Sequence, residues 1–141
     1  MSTLAAQKAT TQAVIDAYNA WDIEKILAVR APDCTTRVLP ASMGRPNMSN
    51  SEYRERMNQV MSCFRKFTLT IHEEVHDADA HKCMMHLSST SETDIGPYTN
   101  EYALILHLTD DGKQVIKFLE FVDSAYSTKF FAALAEAGLG K

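Results

Sequence analysis

A carboxylate interrupts an apolar face near the end of the chain. In KFLEFVDS, residues 117–124, apolar and other residues alternate as in a β-strand. Successive strand residues point to opposite faces of a sheet, so one face carries Ile116, Phe118, Glu120 and Val122. If this face lines an interior, burial raises the pKa of Glu120 towards neutrality and suits the carboxyl group to general acid or base catalysis. A structural ion pair or a solvent-facing carboxylate is the alternative.

Hydroxyl and amide groups recur on a second predicted strand. Tyr98, Asn100 and Tyr102 lie two residues apart in PYTNEY and therefore share a face. All three can donate hydrogen bonds to a polar group of a mostly apolar ligand, although cross-strand packing of the tyrosines is the alternative. Tyr18, on a predicted helix, is expected to point towards the same interior as these strand residues. Its role is either a substrate contact or core packing.

Arg37 is a candidate cation for the same site. It shares one strand face with Thr35 and Leu39, whereas Thr36 and Val38 occupy the other, and either face is compatible with an interior. Facing inward, a fixed guanidinium would stabilise an enolate or alkoxide, or hold a carboxylate. The alternative is a surface or interface arginine.

The histidines suggest no metal centre. His72, Glu74 and His76 alternate on one strand, but the opposite face is apolar and carries Phe67, Leu69, Ile71 and Val75. Since the apolar face must meet the core, the trio is expected to face outward, and the sequence predicts no metal site. His86, on a polar strand face, is a reserve candidate for a proton shuttle or substrate contact. Met57 and Phe118 are candidate apolar walls of a ligand site.

Length and charge limit the classes of function. The 141 residues fit one domain, residues 1–141, and 14 basic against 18 acidic residues without a basic run disfavour a nucleic-acid or membrane partner. The three cysteines form no CxxC pair, and the N-terminus lacks the pattern of a secretory signal. We therefore expect a cytoplasmic protein.

The remaining pattern predicts helices followed by a sheet. Three helices are expected: residues 11–21, a second one from Asp22 to the Ala31-Pro32 break, and a third from the Ser49/Glu52 capping box to about residue 64. A short strand at 34–39 precedes PASMGRPNMSN, a loop that is a candidate cover. Strands are predicted at 67–76, 82–93, 98–109 and 114–123, and a terminal helix from Ser124. This is an α+β fold in which a curved, mostly antiparallel sheet wraps around the helices and leaves a conical hollow.

This order of elements, with the segments DCTTRVLPASMG, IGPYTNEYALILHLTDDGK and FLEFVDSAYS, resembles the SnoaL-like branch of the NTF2-like superfamily. Within it, the segments are similar to fungal tailoring proteins of secondary metabolism, including meroterpenoid ring-rearranging isomerases and an alkaloid semipinacol-rearrangement enzyme. The resemblance implies a pocket inside the cone, no metal, no organic cofactor and a homodimer formed through the outer sheet face. It also implies a functional set of Arg37, Tyr98, Tyr102 and Glu120.

The leading hypothesis is a cofactor-independent isomerase acting on a bulky meroterpenoid, polyketide or alkaloid intermediate. In it Glu120 moves a proton, while Arg37 and the tyrosines polarise a carbonyl or hydroxyl group of the substrate. A hydrolase, cyclase or dehydratase using the same pocket remains open, as does a non-catalytic binding or dimerisation module. The predicted outer face of the last strand carries Val115, Leu119 and Phe121, which we expect to be covered in the dimer.

Overall fold

The structure is a computed structural model, described here for residues 3–140. Its helices are α1 (Leu4–Ala20), α2 (Ile23–Ala28), α3 (Asn50–Val60) and α4 (Ser124–Glu136). Its strands are β1 (Arg30–Leu39), β2 (Arg65–Asp77), β3 (Lys82–Thr93), β4 (Gly96–Leu108) and β5 (Val115–Val122). Short 3-10 turns occupy Ala41–Met43 and Met61–Cys63. The predicted α+β class is confirmed.

The sheet has five strands in the order β1-β5-β4-β3-β2. The last four strands in the chain form an antiparallel meander, and β1 joins its edge parallel to β5. The curved inner face packs on α1 through buried residues such as Val14, Met85 and Leu106. Within residues 3–140, no helix combines the length and the apolar character that crossing a membrane requires.

Side-chain caps fix where the helices begin. Asp22 caps α2, Asp123 caps α4, and Ser49 forms the predicted capping box with Glu52 at the start of α3. The first helix is longer than predicted. It begins at Leu4 because the Thr3 hydroxyl accepts a hydrogen bond from the Ala6 amide at 3.0 Å.

Two strand bulges shift predicted faces. In β2, Ile71 pairs with Leu87 and Glu73 with His86, so His72 is an extra residue. Beyond it the alternation is inverted: His76 turns towards α1, while Val75 is 69% exposed. The prediction that His72, Glu74 and His76 share an outward face with Val75 behind them is therefore wrong.

A second bulge lies at the start of β5. His107 pairs with Lys117 and Leu108 with Val115, which leaves Ile116 without a partner in the ladder. Val115 is consequently fully buried and Ile116 is exposed, the reverse of the predicted faces. After the bulge the predicted alternation holds, with Phe118 and Glu120 inward and Phe121 outward.

The predicted end of the second helix is also wrong. The helix stops at Ala28, and Pro32 lies within β1 instead of following a helix. An edge strand tolerates proline because one side of it makes no ladder hydrogen bonds. The earlier start of β1 places Arg30 in the sheet, buried on the same side as Thr36.

Candidate functional site

A cavity of about 200 Å³ opens inside the concave face of the sheet. Its wall is mostly apolar and aromatic, and includes Trp21, Phe64 and the predicted wall residue Met57. The loop after β1 covers one side, as its composition suggested. Met48 holds this loop against Thr36 through two backbone hydrogen bonds of 2.9 and 2.8 Å.

Glu120 is the acidic residue on this wall. Its side chain projects from β5 into the cavity and is half-buried. Burial raises the pKa of Glu120 to about 7, and the nearby Arg30 and Arg45 guanidinium groups oppose that rise. Among residues 3–140, no group donates a hydrogen bond to its carboxylate. The carboxyl group therefore titrates near neutral pH and is free to exchange a proton with a ligand.

One set of hydroxyl groups beside Glu120 comes from β4. The Tyr102 hydroxyl lies 2.7 Å from the Ser89 hydroxyl and 3.4 Å from that of Tyr98. Asn100 donates to the Tyr98 hydroxyl and to the Ser127 hydroxyl, both at 2.8 Å. Asn100 thus lies behind Tyr98 and fixes its orientation, whereas Tyr98 and Tyr102 line the cavity.

The helices contribute a second set. The Tyr18 and Tyr53 hydroxyl oxygens are 2.5 Å apart, and Arg30 donates to the Tyr18 oxygen at 3.0 Å. Because a guanidinium can only donate, Tyr18 must accept from it. One of the two tyrosine hydrogens joins the pair, and the other remains available to a ligand in the cavity that both residues line.

All four tyrosines are hydrogen-bond donors at neutral pH. Burial is the largest cause that raises the pKa of each hydroxyl, and the negative charge of Glu120 adds to the rise. They therefore keep their protons while Glu120 titrates. The site combines one titratable carboxyl group with neutral donors from two sides, in a setting that strengthens electrostatic interactions.

A smaller chamber of about 40 Å³ adjoins the main cavity. Tyr18, Phe67, Tyr102 and Glu120 border both spaces. The rest of the chamber is apolar and is formed by Leu69, Leu87, Leu104 and Phe118. Glu120 thus stands at the junction of the two spaces.

Three predicted site residues lie elsewhere. Arg37 alternates with Thr36 and Val38, which line the cavity, and so occupies the outer face opposite Leu119. His86 is also on the outer face, where it contacts Glu101 at 2.5 Å. Asn100 lies inside but is not among the residues that line the cavity. The parity of strand positions excludes Arg37 and His86 from the site.

Another cluster of metal-binding residue types lies under α1. Ligand atoms of Glu74, His76 and Cys83 fall within 4.8 Å of one another. The Gln7 amide nitrogen donates to the Lys82 carbonyl oxygen at 2.8 Å, because a carbonyl oxygen can only accept. An amide NH₂ group has a second hydrogen to donate, and this one is directed to His76 Nδ1 at 3.1 Å. His76 Nε2 then carries the proton and faces Glu74 at 3.0 Å, which describes a hydrogen-bonded chain.

Tyr53, Arg30 and Arg45 belong to the site or its immediate surroundings but were not predicted as site residues. From the sequence, Tyr53 lies within the predicted third helix, Arg30 near the predicted end of the second helix and Arg45 in the loop PASMGRPNMSN. The spacing of Arg30 from Arg37 gives no signal for its position, because the register of β1 on β5 shifts between Arg30 and Thr35 and breaks the alternation of faces.

The chain resembles fungal proteins in sequence. No family model matches it. It is 33% identical over 128 residues to monooxygenase nsrQ of Aspergillus novofumigatus, covering 91% of this chain and 85% of that protein. It is 33% identical over 119 residues to austinoid biosynthesis clusters protein F of Penicillium brasilianum, covering 82% and 79% of the two chains.

Solved structures agree with the sequence relatives. PrhC from Penicillium brasilianum superposes with a TM-score of 0.91 at 26% identity, covering 99% of this chain and 95% of that one. BvnE pinacolase from Penicillium brevicompactum gives a TM-score of 0.89 at 26% identity, covering 94% and 96%. An NTF2-like protein from Burkholderia pseudomallei shares the fold, with a TM-score of 0.73 at 13% identity, covering 88% of this chain and 96% of that one. The chain therefore belongs to the family of fungal secondary-metabolite biosynthesis proteins that includes monooxygenase nsrQ and austinoid biosynthesis clusters protein F, and it shares the fold of the NTF2-like protein.

Proposed function

We propose that this protein is a cofactor-independent isomerase that rearranges a bulky, oxygenated intermediate of a meroterpenoid, polyketide or alkaloid pathway. The observation that carries the proposal is the placement of Glu120, whose pKa is about 7, in an apolar cavity between two sets of tyrosine hydroxyls. The pinacolase name of BvnE supports a rearrangement chemistry, and the austinoid relative supports a role in a biosynthetic pathway. These relatives do not favour a non-catalytic module.

An isomerisation requires a proton to leave one position of the substrate and return to another. A carboxyl group whose pKa lies near the working pH does both steps well, because both of its protonation states are populated. Negative charge that develops on a substrate oxygen is held by the hydroxyls of Tyr98 and Tyr102 from one side and of the Tyr18–Tyr53 pair from the other. Tyr18 therefore joins the expected catalytic set, and Arg37 leaves it.

Positioning supplies the rest of the expected rate enhancement. A cavity of about 200 Å³ is smaller than the roughly 300–1,000 Å³ typical of ligand pockets, so it accepts the reacting end of a bulky substrate. The remainder of the substrate then extends out of the cavity, past the loop formed by residues 41–48. Confining the reacting end in an apolar space lowers the entropy cost of reaching the reactive geometry.

Conversion of pathway intermediates tests the proposal. Purified protein, without added metal or nucleotide, should isomerise at least one of a panel of late oxygenated intermediates, followed by mass spectrometry and NMR. Glu120→Gln should reduce kcat by about 100-fold or more while changing substrate affinity little. Glu101→Gln, on the exposed outer face, is the matched control and should leave kcat unchanged. Unchanged turnover in Glu120→Gln refutes the proton-transfer role.

A second candidate follows from the names of several relatives, which are monooxygenases. In that reaction Glu120 would deprotonate a CH₂ group, which is oxidised to a carbonyl while dioxygen is reduced to the new carbonyl oxygen and water. An oxygen electrode distinguishes the two functions. An isomerase leaves dioxygen unconsumed and the product mass unchanged, whereas the oxygenase consumes one dioxygen per turnover.

A further inference from the structure

Two arginines line the main cavity, and within residues 3–140 neither forms an ion pair with a carboxylate. Arg45 projects from the loop after β1 and Arg56 from α3, and both side chains are half-buried. The hydrogen bonds of Arg56 within residues 3–140 are long, at 3.4 Å to Gln59 Oε1 and 3.5 Å to the Gly140 carbonyl oxygen. Across residues 3–140, no acidic group forms an ion pair with either arginine.

Other arginines of this chain do form ion pairs with carboxylates. Arg54, two residues before Arg56, pairs with Glu24, and Arg65 pairs with Asp94 at 2.9 Å. The chain as a whole is acidic, with a formal net charge of −4. Two like charges on one cavity wall repel each other: burial first, and the charge of Arg45 second, lower the pKa of Arg56. Within residues 3–140, no ion pair neutralises either arginine, and Glu120 acts on Arg45 only through space.

We infer that Arg45 and Arg56 form a subsite for an ionised carboxylate of the substrate, at the end of the cavity wall formed by the 41–48 loop and α3. This inference rests on the proposed function, since it concerns the ligand on which Glu120 acts. Guanidinium groups bind a carboxylate through paired hydrogen bonds, and their planar shape matches its two oxygens. The substrate class is thus an acid with a bulky apolar body.

The cavity also accommodates a ring attached to that carboxylate. In an engineered protein, an apolar cavity of about 150 Å³ binds benzene, and the main cavity here is about 200 Å³ with aromatic walls such as Phe131. The Arg56 guanidinium lies 5.9 Å from the centre of the Phe131 ring, so charge and apolar surface adjoin. Benzoate is therefore a suitable probe.

Calorimetric titration of the full chain with benzoate and with neutral, isosteric benzamide tests the subsite. At low salt and pH 6, benzoate should bind about tenfold or more tightly than benzamide, because a hydrogen bond to a charged group is the stronger one. Added sodium chloride should reduce this preference. Equal binding of the two probes would overturn the inference.

Charge-matched variants locate the effect. Arg56→Gln should reduce the benzoate preference severalfold, and the double variant Arg45→Gln/Arg56→Gln should abolish it. Arg54→Gln removes the same charge from the same helix outside the cavity and should keep the preference. Loss of the preference in Arg54→Gln, or its survival in the folded double variant, would contradict the assignment.

A further variant separates this inference from the proposed function. Glu120→Gln should retain the benzoate preference, since it leaves both arginines in place. If Glu120→Gln remains active but benzoate is still preferred, the proton-transfer role of Glu120 fails and the subsite stands. If the wild type converts no intermediate but still prefers benzoate, the isomerase proposal fails and the subsite stands. If Glu120→Gln is inactive and the probes bind equally, the subsite alone fails. Circular dichroism verifies that each variant is folded. If a variant is unfolded, the preference of the wild-type protein for benzoate over benzamide decides whether the subsite exists.

Discussion

The Arg30 guanidinium donates a hydrogen bond to the Tyr18 hydroxyl at 3.0 Å, and its positive charge lowers the pKa of both Tyr18 and Glu120 against the larger effect of burial. Arg30 also lies 4.2 Å from the centre of the Phe118 ring, so it is fixed beneath the site without lining it. A cation was expected near Glu120. Arg30 supplies it in place of Arg37, and it is separated from the cavity by the Tyr18–Tyr53 pair. It limits how far burial raises the pKa of the carboxyl group.

The two cavity arginines should differ in their effect on Glu120. Arg45 lowers the pKa of Glu120, whereas Arg56 is not among the groups that affect it. Arg45→Gln should therefore raise the pKa of Glu120 further, and Arg56→Gln should leave it almost unchanged. Carbon-13 NMR titration of the glutamate carboxyl groups measures both values without substrate. Equal shifts in the two variants would contradict the geometry.

Glu120 should make stability depend on pH. Its pKa rises from 4.5 to about 7 on folding, so between these values the folded state binds more protons than the unfolded state. Stability contributed by the protonated carboxyl group is present below about pH 4.5 and is lost as the pH rises through about 7. Glu120→Gln should thus gain stability relative to the wild type with rising pH, on the order of 2 kcal/mol between pH 5 and pH 8. Urea unfolding measures this difference, and a constant difference would refute the burial of the carboxyl group.

Tyr102 should act in catalysis more than in folding. Tyr102→Phe removes a donor to the substrate and should lower kcat by about 100-fold, as loss of one oxyanion donor does. The lost hydrogen bond to Ser89 should cost only about 1 kcal/mol of unfolding free energy. Tyr126→Phe is the control, because its hydroxyl accepts from the Thr99 amide outside the cavity. Similar kcat losses in the two variants would point to a general structural effect.

The small chamber beside Glu120 should bind an apolar atom. Xenon occupies dry, apolar cavities, and this one is bordered by Leu87 and Leu104. A crystal pressurised with xenon should show electron density there, and Leu87→Phe should remove it by filling the space. Leu87→Met conserves the side-chain volume and should keep the site. An empty chamber in the wild type, or density that persists in Leu87→Phe, would be inconsistent with this geometry.

The outer sheet face should mediate a homodimer. Phe121 is 41% exposed there and Met84 is 50% exposed, and exposed apolar side chains that share one face are typical of a protein interaction surface. Arg37 Nε on the same face is buried and has no hydrogen-bond partner within residues 3–140. Light scattering should report a dimer, and Phe121→Lys should yield a monomer while Thr128→Lys, on exposed α4, should not. A monomeric wild type at micromolar concentration would exclude this interface.

Local signals predicted most of the elements because they act within a few residues. The capping box of Ser49 and Glu52 and the cap at Asp123 begin helices where predicted. The alternation around Glu120 placed it on the inner face of β5. The errors in strand faces arise where a bulge inserts one residue, at His72 and Ile116, because sequence alternation carries no record of how neighbouring strands pair.

The sequence by itself was enough to predict the class of fold and a carboxylate that lies among apolar side chains and tyrosines. Both predictions rest on periodicity and residue type, which are local properties. Tertiary structure alone decided which groups surround that carboxylate. It selected Arg30 over Arg37, brought Tyr53 to Tyr18 across 35 positions in the chain, and directed Arg45 and Arg56 to one wall. The physical reason is that a pKa and a binding site depend on neighbours in space, and strand pairing and loop packing set those neighbours.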